Sequence, residues 1–481
     1  MKVRLILVSL AVFFVGGCGS LSGQASPDRN VTAENEMLPE AVLLLKQYVA
    51  IPSVSGNELA AGTFLASLCR EKGLFVRQFS SDETGYNFAA SLYPLGTGKP
   101  NIIFLNHIDV VPPGNEDDWD FPPYDGTVAG GRLWGRGSID NKGLAIVQLM
   151  AVASFAAEAR KRELPFNVSL LSVSGEETGG ARGAAIIASE YLEELNPVLI
   201  VGEGSCGFEN MDFLGISQMV FGISVADKGM LWLELKVNTP EIGHASVNAG
   251  QYSNKILVDG LHKALTAKQP VIFNDASRMM FRDLGKLRGG LKGFVMRKIH
   301  WKLFRPALRK QLRKEPQLAS LTGNSMSLSY LGNPDGGVNQ HASEAFAMID
   351  CRLLPGVDPD SFIEGIRDII ADSNISIRPV MKGPPASFNK ENHYYALLSQ
   401  SITTVFPGAV VVPVLFPATT DNNYFRGRGY PVYGLNPFIL SMEQIGSIHN
   451  VNENISLEAV ITGIEVFREF ISGVMKEAVP D

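Results

Sequence analysis

The stretch Asn101-Ile-Ile-Phe-Leu-Asn-His-Ile-Asp109 carries an apolar segment that runs directly into a histidine and an aspartate. Two later stretches, 166–177 and 197–204, repeat this arrangement and lead into glutamates. Helical patterns at 142–160 and 180–195 separate the three segments. Because apolar strands alternate with helices, the sequence predicts an α/β fold with a mainly parallel sheet and helices on both faces.

The polar residues that follow these predicted strands form a candidate site. They are His107 and Asp109, then Glu176 and Glu177, then Glu203. Ligands of parallel sheets bind at the carboxyl ends of the strands, so we expect these side chains to meet. Adjacent carboxylates repel each other, and a nearby cation is the simplest explanation for the Glu176-Glu177 pair. One of the two can bind metal while the other accepts a proton from water.

Further residues suit a metal site. Asp140 lies in the glycine-rich stretch 135–143 just before a predicted helix, where it either binds metal or caps the helix. His449 is one of only seven histidines in the chain. Asp109 follows His107 by two positions and points to the same side of a strand, so it is placed to orient the imidazole of His107.

The middle of the chain differs from both ends. Residues 231–237 alternate like a half-exposed antiparallel strand. We predict an α/β domain at 37–225 and 387–481, interrupted by an inserted α+β domain at 226–386. A basic helical segment at 278–316 is either a membrane-surface helix or, as is commoner, a solvated insertion. Other predicted helices lie at 37–50, 58–72, 253–267 and 391–405, and other predicted strands at 345–354 and 431–435.

Composition and charge exclude nucleic-acid binding as the main function. Hydrophobic residues make up 45% of the chain and charged residues 19%, which is typical of a globular protein. The net charge of −7 disfavours nucleic acid, whose phosphates require a basic surface. Cys69, Cys206 and Cys351 lack the spacing of a thiolate metal site and are expected to be buried free thiols.

The N-terminus is typical of an exported protein. Residues 1–17 combine a basic start with an apolar run too short to span a membrane, which predicts a signal peptide. The small residues before Cys18 resemble a bacterial lipobox, which would make Cys18 the lipidated first residue, whereas the alternative is an ordinary signal peptide. The polar composition of residues 18–36 predicts a flexible tether. We expect a protein of the bacterial cell envelope, and Gly19 favours the outer membrane.

Taken together, four motifs resemble the M20 family of metallopeptidases, within the branch of carboxypeptidase S and the N-acyl-amino-acid amidases. The resemblance runs from about residue 40 to 475 in the same order. It implies a zinc-binding α/β domain and an inserted lid domain that often forms a homodimer. The motifs lie at 106–113, 119–123, 135–143 and 175–177.

The resemblance also implies two zinc ions that share one carboxylate, with Glu176 as the general base. Histidine and carboxylate ligands suit Zn²⁺, although Co²⁺ or Mn²⁺ are alternatives. The implied ligands are Asp140 for both ions, His107 and Glu203 for one ion, and Glu177 and His449 for the other.

In the inserted domain, the resemblance implies that His244 serves the partner subunit's site and that Asn339 and Arg352 bind the substrate carboxylate. A guanidinium suits such a group. From the residues alone, His244 is a turn residue and Arg352 pairs with Asp350. Many relatives carry an arginine near position 423, where this chain has Asn423.

The expected function is that of a two-zinc hydrolase that cuts an amide bond next to a free carboxylate, of the carboxypeptidase or dipeptidase type. An N-acyl-amino-acid amidase is the alternative within hydrolases. A non-catalytic, peptide-binding envelope lipoprotein is the alternative from another class. The presence of Glu176 and Asp140 favours a hydrolase over that binding protein.

Overall fold

A computed structural model describes residues 38–82, 85–240, 243–247, 250–301, 304, 319–334 and 337–477. The predicted signal peptide at 1–17, Cys18 and the tether at 18–36 lie outside the described residues. The anchor therefore stays a prediction.

A large sheet of eight strands forms the centre of the fold, in the order β1-β2-β6-β3-β7-β14-β8-β13. The pairs β6–β3, β3–β7, β7–β14 and β8–β13 are parallel, whereas β1 and β2 add antiparallel strands at one edge. This confirms the predicted fold class. The strands are β1 Phe75–Asp82, β2 Gly85–Ser91, β3 Asn101–His107, β6 Asn167–Val173, β7 Pro197–Phe208, β8 Val220–Asp227, β13 Val410–Phe416 and β14 Val432–Ile439.

Helices cover both faces of this sheet because its strands are apolar on both sides. In β3, Ile102 and Phe104 join one core cluster, while Ile103 and Leu105 join the cluster on the opposite face. The first face carries α1 Glu40–Val49, α2 Leu59–Glu71, α3 Lys142–Ala153, α4 Ala156–Lys161, α11 His393–Val405 and α14 Leu457–Val474, and the second carries α5 Ala184–Glu190, α6 Leu192–Leu195 and α12 Asn422–Arg426.

The segment Lys142–Lys161 is long and apolar enough to cross a membrane, but 67% of its most apolar window is buried inside the protein. In the structure this segment forms two helices, α3 and α4, which pack in the core. The predicted single helix at 142–160 is therefore interrupted after Ala153, and the one predicted at 180–195 is likewise split into α5 and α6.

One strand is longer than the sequence suggested. The sequence predicted that Glu203 follows the third strand, but Glu203 lies inside β7, which continues to Phe208. Gly202 and Gly204 flank Glu203 inside this strand, and β14 pairs along it. Glycine usually weakens a strand, which is why the sequence pattern suggested an end here.

A second, antiparallel sheet of four strands has the order β10-β11-β9-β12. Two helices pack on one face and bury its alternating apolar residues, as the pattern at 231–237 predicted. The chain leaves the large sheet after Asp227 and enters the small one at Gly229. The elements are β9 Gly229–Asn238, α7 Ser253–Thr266, β10 Ser325–Gly332, β11 Glu344–Leu353, α10 Pro359–Ile370 and β12 Ile375–Lys382.

The basic segment forms two helices, α8 Asp275–Arg288 and α9 Gly290–Arg297, and its residues 305–316 lie outside the described part of the chain. Although α8 lies in sequence between strands of the small sheet, it packs against β13 at the edge of the large sheet. Met280, Phe281 and Leu284 share a core cluster there with Val412. The small elements that complete the fold are β4 Thr127–Ala129, β5 Arg132–Trp134, β15 Asn454–Ser456 and α13 Met442–Ser447.

Candidate metal centre and its cavity

The predicted ligands meet where β3, β6 and β7 approach one another. His107 is the last residue of β3, Glu177 lies in the turn after β6, and Glu203 lies inside β7. Two groups of three residues each bring their ligand atoms within 4.8 Å of one another. The groups are His107, Asp140 and Glu203, and Asp140, Glu177 and His449.

Asp140 belongs to both groups because its two carboxylate oxygens point in different directions. One oxygen, Oδ1, lies 3.0 Å from Nε2 of His107, and the other, Oδ2, lies 3.2 Å from Nε2 of His449. The peptide bond that follows Asp140 is cis. An aspartate with this placement has the geometry of a bridge between two ions.

The loop that carries Asp140 is held by the buried carboxylate of Glu453. Its oxygens accept hydrogen bonds from the backbone of Gly137 at 2.8 Å, Ile139 at 2.8 Å and Asp140 at 3.0 Å. Arg136 donates to the same carboxylate at 2.7 Å, and both side chains of this pair are 1% exposed. Removing one partner of such a buried pair costs about 3–5 kcal/mol, so the loop is firmly fixed.

Asp109 contacts both His107 and the turn that carries the two glutamates. Nδ1 of His107 lies 2.9 Å from the backbone carbonyl of Asp109 but 3.5 Å from its carboxylate, so the carbonyl mainly orients the ring. The carboxylate instead accepts hydrogen bonds from Ser55 at 2.7 Å and from the backbone of Glu176 and Glu177 at 3.1 Å each. Asp109 therefore positions the turn that carries the two glutamates.

Several acidic side chains are buried together in this centre. Burial, and then the charge of Glu203, raise the pKa of Glu176 well above its ordinary value. Burial and the charge of Asp140 raise the pKa of Glu177 to about 7. Hydrogen bonds to Asp140 and Glu177 raise the pKa of His449 to about 10. These shifts share one physical cause, a concentration of negative charge away from water.

The residues present fit divalent ions of the zinc type. The donors are imidazole nitrogens and carboxylate oxygens, which Zn²⁺ prefers over purely oxygen sites. Oε1 of Glu177 is buried, and it has no hydrogen-bond partner among the described residues. Cations would offset the crowded charge and occupy such unpaired oxygens.

Two further polar residues of the site were missed from the sequence. Asn141 donates a hydrogen bond to the carboxylate of Glu203 at 2.8 Å, which orients this predicted ligand. Asp421 is buried beside the glutamates, and burial raises its pKa well above its ordinary value. The position of Asn141 next to the predicted ligand Asp140 could have indicated its role. Asp421 lies far along the chain, and only its closeness in sequence to Asn423 could have indicated that it belongs to the site.

Two predicted residues lie away from the metal centre. His244 is exposed at the small sheet, where its Nδ1 lies 2.7 Å from the hydroxyl of Ser246. Asn339 is its neighbour, because its carbonyl accepts a hydrogen bond from Ala245 at 2.8 Å. Neither side chain lines the cavity of its own chain.

Arg352, in contrast, reaches the cavity from the small sheet. It donates to Asp350 at 2.9 Å, which is the ion pair that the residues alone suggested. In the strand register, Asp350 lies opposite Trp232 and Arg352 opposite Met230, so the four side chains share one face. All four line the cavity together with the glutamates of the metal centre.

Asn423 does not line the cavity. It is fully buried, donates to the carbonyl of Lys228 at 2.9 Å and accepts from Arg426 at 3.1 Å. It therefore stabilises the point where the chain passes from the large sheet to the small one, and Arg352 is the arginine that faces the cavity.

The cavity has a volume of about 960 Å³ and joins two kinds of surface. One part is lined by the acidic groups of the metal centre, including Asp140, Glu176 and Glu203. The other part is apolar and is formed by β8, α8 and β13 at the edge of the large sheet. Its side chains include Val220, Met280, Phe281, Leu284, Val412 and Val414.

Comparison with known proteins identifies the family. The model of peptidase family M20/M25/M40 matches residues 103–473. The chain belongs to this family. The M20 family resemblance drawn from the motifs is thereby confirmed, and so is the expectation of a metal-dependent hydrolase.

Two relatives of this M20 protein have names that refer to different kinds of enzyme. A mouse N-fatty-acyl-amino acid synthase/hydrolase, PM20D1, is 27% identical over 98% of this chain and 96% of its own. A probable carboxypeptidase S-like protein of Dictyostelium discoideum is 26% identical over 75% of this chain and 69% of its own.

Two solved structures share the fold. The metallo-carboxypeptidase Sso-CP2 from Sulfolobus solfataricus has a TM-score of 0.70 at 18% identity and covers 92% of this chain and 100% of its own. Human carnosine dipeptidase 1 has a TM-score of 0.66 at 18% identity and covers 91% of this chain and 96% of its own.

Proposed function

We propose that this M20 protein is a two-zinc amidohydrolase that releases an amino acid from an N-acyl amino acid with an apolar acyl group. The observation that carries this proposal is the continuity of the apolar part of the cavity with the acidic centre. A small peptide has little to bury there, whereas an acyl chain gains about 0.8 kcal/mol for each buried CH₂ group. The sequence pattern alone had ranked a carboxypeptidase or dipeptidase first.

The small sheet supplies the group that fits the other end of such a substrate. Arg352 presents a guanidinium to the cavity, and this group can bind a carboxylate with two parallel hydrogen bonds. Asp350 accepts a hydrogen bond from the guanidinium at 2.9 Å. This bond already restricts the Arg352 side chain, so less conformational entropy is lost when a substrate binds. A free carboxylate beside the cleaved amide would thus lie between Arg352 and the metal centre.

When bound, two ions would supply Lewis acidity toward the amide carbonyl and lower the pKa of a water molecule. His107, Asp140, Glu177, Glu203 and His449 would hold them. Glu176, which lines the cavity and is placed by the Asp109 carboxylate, accepts a proton from the attacking water. It then returns that proton to the leaving nitrogen, so that one amide and one water yield a carboxylic acid and an amine.

His244 fits this proposal only as a group supplied by another copy of the chain. It is exposed and lies outside the cavity of its own chain. We therefore include a homodimer in the proposal, in which His244 of one chain would stabilise the oxyanion at the site of the other. An active mixture of His244→Ala and Glu176→Gln chains would support this arrangement, and an inactive mixture would exclude it.

We also propose that a lipid on Cys18 anchors the enzyme at the bacterial envelope. The supporting observation is the small-residue motif before this cysteine. A Cys18→Ser variant should be released from membranes, and fully retained membrane attachment would contradict the lipid anchor.

The substrate class is tested with a soluble form of the chain, residues 19–481, which includes every described residue. We expect it to bind about two zinc ions and to cleave N-acyl amino acids faster as the acyl chain lengthens, since each added CH₂ contributes about 0.8 kcal/mol. Faster cleavage of dipeptides would favour the carboxypeptidase or dipeptidase type instead. Binding of peptides without cleavage would favour the non-catalytic envelope protein.

The Glu176→Gln variant tests whether Glu176 is the general base. It should keep its zinc content, because Glu176 is outside both groups of ligands, and lose about 10²–10⁴-fold in turnover. Normal turnover in this variant would contradict the assignment of Glu176 as the base.

A further inference from the structure

We infer that the outer face of the α8–α9 helix pair docks on an anionic lipid bilayer. We call this surface the α9 face and define it by Leu291, Phe294, Arg297, Lys298 and Trp301. The inference is independent of the proposed reaction, because it concerns the side of the helix pair that points away from the cavity.

The α9 helix is held on the outside of α8 by a close backbone contact. A Cβ atom built on Gly293 would lie 2.3 Å from the carbonyl oxygen of Gly285, so only glycine allows this approach. Gly293 is the single fully buried residue among the described side chains of α9. Met296 also packs partly buried against the core cluster of α8, whereas Leu291 and Phe294 are exposed on the outer side of the helix.

Large apolar side chains are concentrated on this outer side. Leu291 is 59% exposed, Phe294 39% and Trp301 42%. Leu291 and Phe294 are three positions apart on one helix and thus share a face. The Phe294 and Trp301 rings lie 6.4 Å apart, centroid to centroid. Exposed aromatic groups of this kind are favoured at the boundary between lipid and water.

Cationic side chains lie directly beside these aromatic rings. The Arg297 guanidinium is 5.9 Å from the Phe294 ring, and the Lys298 ammonium is 5.1 Å from the Trp301 ring. Residues 275–301 contain seven lysines and arginines against two aspartates, although the whole chain has a net charge of −7. A basic surface with interleaved aromatic groups complements anionic lipid, which binds each nearby Lys or Arg electrostatically.

A groove beside this face can accommodate lipid headgroups. Its volume is about 750 Å³, and Phe294, Arg297, Lys298 and Arg278 line it. Asp275 and Glu391 also line the groove, so it is not uniformly positive. An anionic bilayer is the partner that would contact both the cationic side chains and the exposed aromatic rings of the α9 face.

Vesicle binding tests the inference with the zinc-loaded soluble form, residues 19–481, which lacks Cys18 and its lipid. We expect vesicles that contain phosphatidylglycerol to bind at least about tenfold more tightly than phosphatidylcholine vesicles, with weaker binding at high salt. Equal binding to both kinds of vesicle, or no binding to either, would overturn the inference.

Matched variants locate the surface. Phe294→Ser and Lys298→Gln should each weaken binding to anionic vesicles several-fold, about as expected for loss of one apolar or one basic contact. The controls are Phe75→Ser and Lys268→Gln. Phe75 is 51% exposed on β1, at the opposite edge of the large sheet from β13. Equal losses in variants and controls would overturn the assignment to the α9 face.

A spectroscopic measurement keeps the test valid if a variant folds poorly. Trp301 is 42% exposed and is one of four tryptophans in the chain. Its fluorescence should shift to shorter wavelength on anionic vesicles. The Trp301→Phe variant should still bind but lose this shift, whereas an unchanged shift in the variant would show that another surface binds the lipid.

Discussion

The two parts of the cavity are built in different ways. The acidic part is fixed by hydrogen bonds that reach it from several loops, as with Asp109 and Glu453. The apolar part is lined by side chains of α8 and β13 that touch one another through apolar packing. Hydrogen bonds fix the directions in which side chains point, whereas apolar contacts are not directional and fix only the volume that they enclose. Under the proposed function, the acidic part would set which bond is cut, and the apolar part would set which acyl group is accepted.

The largest effect is expected where one residue serves both groups of ligands. Asp140→Asn replaces a charged bridge with a neutral amide, so zinc content should fall below two per chain. Because metal polarisation is worth several kcal/mol, kcat/KM should fall about 10³-fold or more for every substrate. Metal analysis and kinetics measure both effects. Asp125→Asn, at an exposed position, is the control and should change neither.

An intermediate effect is expected at Arg352, which reaches the cavity from the small sheet. Arg352→Gln removes the charge that faces the substrate carboxylate, and a hydrogen bond between charged groups is worth about 1.5–3 kcal/mol. We expect kcat/KM to fall about 10- to 100-fold, mainly through KM, with zinc content unchanged. Arg378→Gln on β12, which β9 separates from the strand of Arg352, is the control, because Arg378 pairs with Glu234 outside the cavity. Equal losses in both variants would argue against substrate binding by Arg352.

The smallest effect should appear in the apolar part and should depend on the substrate. Val414→Phe fills space beside Val412 in the cavity lining, so kcat/KM should fall about tenfold for long acyl chains and little for acetyl substrates. Val411→Phe is the control, since Val411 packs against the core on the opposite face of the same sheet. A uniform loss for short and long substrates would contradict a role in chain selection.

The sequence predicted the acidic part better than the apolar part, for a physical reason. Metal chemistry restricts residue type, so His107, Glu177 and Asp140 were recognisable before their neighbours were known. An apolar cavity uses the same residue types as a core. Met280 and Phe281 therefore indicated only a helix, and nothing local showed that this helix would pack against β13.

Other failures arose from contacts between distant parts of the chain. Glu203 was placed beyond its strand because the glycines on both sides resemble a strand end, whereas pairing with β14 extends the strand. The Asp109 carboxylate was predicted to orient His107, and it lies 3.5 Å from Nδ1 of this ring. The prediction missed that the same carboxylate accepts hydrogen bonds from the backbone of Glu176 and Glu177. Such contacts depend on loop positions that a single sequence does not give.

The hydrogen bond between Glu453 and the Asp140 loop joins positions 313 residues apart. His449 comes from the same late stretch of the chain. During synthesis from the N-terminus, the loop and the second group of ligands thus stay incomplete until almost the whole polypeptide has emerged. A nascent or truncated chain that ends before His449 lacks both contributions, so the order of the sequence makes the second group of ligands one of the last parts of the fold to be completed.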